Sequence, residues 1–340
     1  MVRNMFTQIH AENADDLWLK ASDLFRQQGV ANPQDSRAGK THEVLHAALS
    51  LADPRQRWIA SRRPAMNPAF AIAEVIWIMN GRRDSAFLNY FNPRLPEFAG
   101  KGPNYFGAYG FRLRKAFSID QLKRAAAALR QNSLSRQVVL QIWNTETDLP
   151  YADGQPADHD IPCNLLAMLK VRNGKLEWTQ IMRSNDLFLG LPHNIVQFTT
   201  MQELIAGWIG VEPGEYQHLS DSLHLYERDG YVLTNTIKQP CPRNDDRLNV
   251  PEDESEEILK QLEDAVEQII SPAITGVELL KHMEKIKIPQ CFLNLLAIMV
   301  ADGCRRRQQM AEADAAVRAC RNPCLLFLWE QWLQRKLARG

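Results

Sequence analysis

Two segments, Ile161-Pro162-Cys163-Asn164 and, about twenty residues later, Arg183-Ser184-Asn185-Asp186-Leu187-Phe188-Leu189-Gly190-Leu191-Pro192-His193-Asn194, carry the densest chemistry in the chain. Between them Cys163, Leu165, Ala167, Leu169 and Val171 recur at period two, and Asn173-Gly174 is a type I′ turn pair. Residues 162–183 therefore read as a β-hairpin that returns Arg183 to the side of Cys163. A thiol at a strand start becomes a nucleophile when positive charge or hydrogen-bond donors stabilise its thiolate, and a neighbouring arginine supplies both. Taken alone, a cysteine there is ordinarily a small core residue.

Working outward, Asn194 to Trp208 has Ile195, Phe198, Met201, Leu204, Ile205 and Trp208 at helical spacing, with Gly210 past its end. It reads as an amphipathic helix. Upstream, Gln137 to Trp143 is β-branched and apolar, a strand, and Asn67 to Asn80 is apolar nearly all round, a central buried helix ending at Gly81. Glu74 sits inside that helix, where a carboxylate costs several kcal/mol unless paired, so it is a candidate for function. Beyond Pro251 the texture changes and the chain reads as helical throughout, over 252–270, 275–286, 290–302, 305–320 and 323–338. Two parts are expected: residues 1–250 with the chemistry, and a helical extension over 251–340 for packing or dimerisation.

A chain of 340 residues that is 45% hydrophobic and 24% charged is a globular protein large enough for a sizeable core. Forty Lys plus Arg against forty Asp plus Glu give a formal charge of zero, so no global field draws the molecule to nucleic acid or an anionic membrane, and neither is an expected partner. An anion must be held by a local cluster. The apolar run from Phe292 to Ala301 is half a bilayer span and reads as a buried helix, and Met1 to Met5 lacks a signal-peptide core. A reduced, cytoplasmic setting follows. Cys320 and Cys324 have no second Cys/His pair at zinc spacing, so no metal is expected.

The wording of the two opening segments resembles the thymidylate synthase superfamily, which includes the nucleotide hydroxymethylases. Its Pro-Cys strand, Arg-Ser-x-Asp, Leu-Gly-x-Pro-x-Asn and His-x-Tyr occur in order, the last as His224-Leu225-Tyr226. Upstream, Arg37-Ala38-Gly39 resembles the phosphate-loop arginine, Glu74-Val75-Ile76-Trp77 with Gly81 the buried Glu-x-x-Trp helix, Tyr109-Gly110 with Arg114 the Tyr-Gly-x-x-x-Arg motif, and Arg136 the arginine lent by a partner subunit. The likeness covers about residues 35–230, with none over 250–340. The resemblance implies an α/β (α+β) fold with a central mixed sheet and a buried helix, followed by the helical extension, and a homodimer with shared active sites.

It also implies one-carbon transfer to C5 of a pyrimidine nucleoside monophosphate of the dUMP type, with 5,10-methylenetetrahydrofolate as donor. C5 is a poor nucleophile. Addition of the Cys163 thiolate to C6 leaves an enolate rich at C5, able to attack the folate-borne carbon. Arg37, Arg136, Arg183 and Ser184 would hold the phosphate, for which arginine forks are suited. Asn194 would pair with the N3–H and O4 edge of uracil, and His224 and Tyr226 would take the sugar hydroxyl. Glu74 would order proton-carrying waters, Tyr109 would help remove the C5 proton, and Asp186, with Trp77, would serve the folate.

Several positions depart from the family pattern. Asn164 stands where His usually follows the nucleophile, Met182 where Gln precedes Arg-Ser, and Gln137 where a second partner arginine is normal. The Trp-rich stretch is replaced by Asn92-Pro93-Arg94-Leu95-Pro96-Glu97-Phe98, and the closing His-Pro-x-Ile lid is missing. Both features favour hydride transfer over hydration in the family, because a lid that excludes water protects a reactive methylene. The product is therefore hydroxymethyl or methyl on these residues. The alternative is a nucleotide-binding protein that kept the pocket without the chemistry and uses its helical tail on a partner.

Overall fold

The structure, a computed structural model, describes residues 6–36, 39–238 and 240–337. Its strands are β1 (Thr7–Ala11), β2 (Asn32–Ser36), β3 (Gly39–Leu51), β4 (Val139–Gln141), β5 (Asn164–Arg172), β6 (Lys175–Met182), β7 (Asn185–Asp186) and β8 (Glu212–Tyr226). The longer helices are α1 (Ala14–Leu24), α2 (Pro68–Met79), α3 (Ser85–Phe91), α4 (Gln121–Gln131), α5 (Leu191–Ile209), α6 (Glu252–Ile270), α7 (Gly276–Lys285), α8 (Gln290–Arg306), α9 (Met310–Ala319) and α10 (Pro323–Leu337). Contacts group them into two units, the first comprising residues 1–66, 121–144 and 162–241, the second 67–120, 145–161 and 242–340.

The first unit holds the mixed α/β fold expected from the sequence. Its sheet runs β1-β3-β8-β6-β5-β4, with β2 beside β3 and β7 beside β8. β1–β3, β6–β8 and β7–β8 pair in parallel, the others antiparallel. One face is a continuous buried row in which Ala167, Gln180, His218 and Leu49 are register partners across four strands. Helix α5 packs over β6 and β8. It begins three residues before the expected Asn194, with Pro192 in its first turn, and ends at left-handed Gly210.

Two sequence expectations change at this sheet. The inward residues of α5 are as expected, but the helix is buried almost all round and not amphipathic, since Asn194, Gln197, Thr199, Thr200, Gln202 and Glu203 are buried too. The Glu203 carboxylate is matched there by Arg55 at 2.7 Å and by Arg57. The hairpin forms with both Asn173 and Gly174 at positive φ, as a type I′ turn needs. Its phase does not run straight to Cys163, however. The register skips Leu165, pairing Asn164 with Met182 and Leu166 with Ile181, and this bulge puts Asn164 on the buried row with Ala167, Leu169 and Val171. Cys163 falls out of that row and is half-buried.

The second unit is helical. Helix α2 is capped by the Asn67 side chain and packs against α3, α6, α8 and α10. The apolar run 292–301 lies inside α8, which continues to Arg306 where the sequence suggested an end near 302. In contacts, residues 242–340 thus group with 67–120 and 145–161, while the change of texture near 250 follows the passage from sheet to helices. No helix among the described residues is long and apolar enough to cross a membrane.

Candidate active site

The hairpin locks Arg183 against Cys163. The Arg183 amide donates to the Cys163 carbonyl at 2.9 Å. Its Nε donates to the Pro162 carbonyl at 3.0 Å, and the guanidinium carbon stands 5.9 Å from the Trp143 ring centre. The stem of the arginine is therefore held on the chain segment that carries the thiol.

The following residues continue the site. Ser184 Oγ lies 3.4 Å from His224 Nδ1, and the His224 and Tyr226 rings meet edge to face at 5.3 Å. Tyr226 hydrogen-bonds with Ser36, burial raises its hydroxyl above the ordinary phenol value, and the Arg228 guanidinium lies 4.2 Å over its ring. Asp186 pairs in register with His224. One of its carboxylate oxygens accepts from the amides of Phe188 and Leu189, at 2.6 and 2.8 Å, which fixes the turn into α5. Burial pushes that carboxyl up, opposed by His224 and Arg62.

Asn194 stands in the first turn of α5, with Nδ2 donating to Asn185 Oδ1 at 3.1 Å and lying 3.5 Å from Met182 Sδ. Asn185 Nδ2 in turn reaches His218 Nε2 at 2.7 Å and Ser220 Oγ at 3.3 Å, and His218 Nδ1 lies 2.7 Å from Tyr216 Oη. Beside the nucleophile, Asn164 Oδ1 accepts from Gln180 at 3.0 Å, while its fully buried Nδ2 has no partner among the described residues. Sequence reasoning left His218 without a role and did not single out Asn185. The pair is 33 residues apart, and no short-range spacing signals it.

In the second unit, Glu74 is the one residue of α2 that is half-buried rather than buried. Trp77 is 5% exposed and donates its indole N–H to the Asp84 carbonyl at 3.0 Å. Tyr109, half-buried, begins a short helical turn, Tyr109–Phe111. Gly110 brings it against α2: a Cβ there would lie 2.2 Å from the Ile78 carbonyl oxygen. Asp160, not anticipated from sequence, accepts from the Gly107 amide at 2.8 Å, and burial lifts its carboxyl to about 6. Arg37 lies outside the described residues, and Arg136 is exposed on the segment leading to β4.

A mixed sheet backed by a buried helix, with a cysteine before a strand bonded to an arginine and a serine, histidine and tyrosine following, defines an α/β protein. The chain belongs to the thymidylate synthase family, whose model matches residues 28–272. It is 34% identical over 230 residues to the deoxyuridylate hydroxymethyltransferase of Bacillus phage SP01, covering 64% of this chain and 58% of that protein. It is 36% identical over 197 residues to the same-named protein of Pseudomonas phage M6, covering 57% and 55%. With the thymidylate synthase of Clostridium beijerinckii it shares 27% over 245 residues, 70% of this chain and 85% of that one. The chain thus spans little more than half the length of the two phage proteins.

Proposed function

We propose that this chain transfers a one-carbon unit to C5 of deoxyuridylate and that the product is the 5-hydroxymethyl nucleotide. The reading is carried by the clamp between Arg183 and Cys163 across the hairpin. The Cys163 thiolate adds to C6, the C5–C6 double bond opens toward C5, and the enolate oxygen O4 is met by the Asn194 amide. Arg183 and Ser184, with Arg37 and a partner's Arg136, hold the phosphate, and His224 and Tyr226 hold the sugar hydroxyl. Once C5 has taken up the carbon it loses its proton, a step assigned to Tyr109 with water ordered by Glu74; the carrier would leave in that step, giving an exocyclic methylene at C5, to which a water would add its hydroxyl. Expulsion of sulfur then restores the C5–C6 double bond.

The donor implied by the family is methylenetetrahydrofolate, which supplies a one-carbon unit at the oxidation level of formaldehyde. Asp186 suits its pterin edge, because one carboxylate oxygen is already fixed by two amides and the second lies outside those bonds. Trp77 supports this use less, its donor being spent on Asp84.

Hydration over hydride transfer is supported by three facts. The names of the two phage relatives specify hydroxymethyl transfer. Tryptophan is missing from 92–98, and the Pro96–Ala99 turn that overlaps its end has no buried residue. Phe98 is exposed there. The decisive measurement is mass spectrometry of the product from dUMP and methylenetetrahydrofolate: addition of CH2O is expected, and addition of CH2 would replace this reading with methylation. Tritium release from 5-labelled dUMP tests the chemistry itself, and no release with a bound nucleotide would leave a binding protein.

A homodimer with shared sites is part of the same reading. The sheet face opposite the core presents Leu166, Met168, Thr179, Ile181 and Leu219 half-buried in adjacent register, a surface suited to a second copy. Mixing Cys163→Ser subunits with Arg136→Ala subunits should recover activity that neither has alone; no recovery would remove the sharing. The reducing, cytoplasmic setting expected from the sequence is one in which the Cys163 thiolate persists.

A further inference from the structure

Tyr109 is carried by a stretch of chain without long secondary structure, so what holds it is a matter of where the backbone groups of residues 105–110 find partners. The Tyr105 amide donates to the Arg83 carbonyl at 2.7 Å, and the Tyr105 ring meets Trp77 edge on at 6.4 Å. The Phe106 carbonyl accepts from Arg112 Nε at 3.3 Å and Nη2 at 3.2 Å, while the same guanidinium grips Asp148 at 2.6 and 2.9 Å. The Ala108 carbonyl accepts the Arg112 amide at 3.1 Å. The Gly107 amide reaches further along the chain. Its acceptor is Asp160, 53 residues on and three residues before Cys163.

That contact is close. Asp160 Oδ2 accepts the Gly107 N–H at 2.8 Å, and a Cβ at Gly107 would stand 2.5 Å from the Asp160 carbonyl oxygen and 3.2 Å from its Cγ and Oδ1. Only glycine lets the two backbones approach so far. Asp160 is itself steadied, its amide donating to Asp158 Oδ1 at 2.9 Å. Burial raises its carboxyl to about 6 and Asp158 adds to the rise, with the Gly107 bond and Arg112 opposing, so near neutral pH the carboxylate is the major form. Arg112 is engaged with Asp148, and Gly107 is the one direct hydrogen-bond donor to the Asp160 carboxylate among the described residues. A bond from an amide to a carboxylate is roughly twice as strong as one to a neutral oxygen. Tyr109 is thus bracketed by two glycine contacts, Gly107 on Asp160 and Gly110 on α2.

We propose that Asp160 is a positioning residue for the proton removal assigned to Tyr109: by clasping the Gly107 amide it fixes the Tyr109 turn on the chain segment that runs into Cys163. The inference rests on that assignment. A group that takes a proton must come within hydrogen-bond reach of it, and a misplacement of about 1 Å costs up to about 100-fold in rate. Asp160 acts through the Gly107 amide and not on the reacting atoms. One side chain then ties the turn that bears Tyr109 to the residues that lead to the nucleophile.

The test has a structural arm and a chemical arm. In the ligand-free full-length protein, amide hydrogen exchange across residues 106–110 should be about tenfold or more faster in Asp160→Ala than in wild type, with α2 unchanged. Equal exchange would overturn the clasp. Asp160→Asn still offers an oxygen to the same amide and should recover most of the protection; an asparagine no better than alanine would also overturn it. In the chemical arm, turnover of dUMP with methylenetetrahydrofolate should fall about 10- to 100-fold in Asp160→Ala while dUMP affinity stays within about threefold. The kinetic isotope effect with 5-deuterated dUMP should rise, because removal of the C5 proton has slowed relative to the other steps. A merely structural role would lower the active fraction and leave the isotope effect unchanged, and that result overturns the proposal. Should Asp160→Ala fail to fold, Asp160→Glu carries both arms, since one added methylene misplaces the carboxylate and keeps its charge; the same faster exchange and larger isotope effect are expected. A wild type that releases no tritium and forms no product, with exchange at 106–110 still dependent on Asp160, would overturn the one-carbon reading and not the clasp.

Discussion

Arg183 and Cys163 are joined across one hairpin end by the arginine amide on the cysteine carbonyl at 2.9 Å, and Arg183 Nε adds a second bond to the carbonyl of the preceding residue, Pro162, at 3.0 Å. The backbone that presents the thiol is therefore the same backbone that aims the guanidinium. Loss of sulfur should abolish chemistry while leaving this anion site intact. Cys163→Ser is expected to release no tritium from 5-labelled dUMP yet to bind dUMP within about threefold of wild type, since only the nucleophile is changed. Exchange at the normal rate in that variant would remove Cys163 from the mechanism.

Gly110 lets the Tyr109 turn touch α2 at Ile78, where a methyl group would stand 2.2 Å from a carbonyl oxygen. Backbone is the obstacle, so neighbouring side chains cannot yield. Gly110→Ala should cost about 1–3 kcal/mol or more in stability, the range for overpacking a core, and should depress kcat more than nucleotide binding. Thermal unfolding and steady-state kinetics read the two effects. An unchanged Tm would show that the turn relaxes at no cost.

Glu203 is fully buried on α5 between Arg55 and Arg57, and Arg57 also donates to Thr200 at 2.7 Å. Neutralising one partner of a buried pair leaves the other charge uncompensated. Glu203→Gln should lower the unfolding free energy by about 3–5 kcal/mol in urea titrations. A change below about 0.5 kcal/mol would mean that Thr200 and nearby carbonyls suffice for the arginines.

His218 makes stability depend on pH in a definite direction. Its folded pKa is about 3, below the ordinary histidine value near 6.5. The unfolded chain therefore takes up the proton first as pH falls. The stability owed to the neutral ring is complete above the unfolded pKa and is lost between there and the folded value, by about 1.4 kcal/mol per pH unit. Urea midpoints at about pH 7.5 and about pH 5.5 should differ less in His218→Gln than in wild type. Equal differences in the two proteins would place the histidine in contact with solvent or with an acid.

Much of this molecule is legible in short-range sequence. Period-two apolar residues closed by Asn173-Gly174 give the hairpin, the apolar stretch after Asn67 gives α2, and the acidic start at Glu252 gives α6, because local hydrogen bonding and side-chain patterning dictate each. The candidate residues of the first unit are legible as motifs for the same reason: Cys163, Arg183, Ser184, Asp186, Asn194, His224 and Tyr226 belong to four short motifs on consecutive elements. The face on which Cys163 lies was not. Strict alternation places it with Ala167, and the bulge at Leu165 reverses that, a choice made by pairing with Met182 and Ile181 across the hairpin.

By itself, then, the sequence determined the elements, the family motifs and the candidates for the reacting groups, since these depend on neighbours within a few positions of each other. Tertiary structure alone decided what surrounds those groups: the register that turns Cys163 out of the buried row, the glycine that admits Tyr109 to α2, and the meeting of Asn185 with His218 at the centre of the sheet. The physical reason is the range of the forces involved. Periodicity and turn preference act along the chain, whereas burial, cross-strand pairing and the shutting-out of water act between segments that only the folded state brings together.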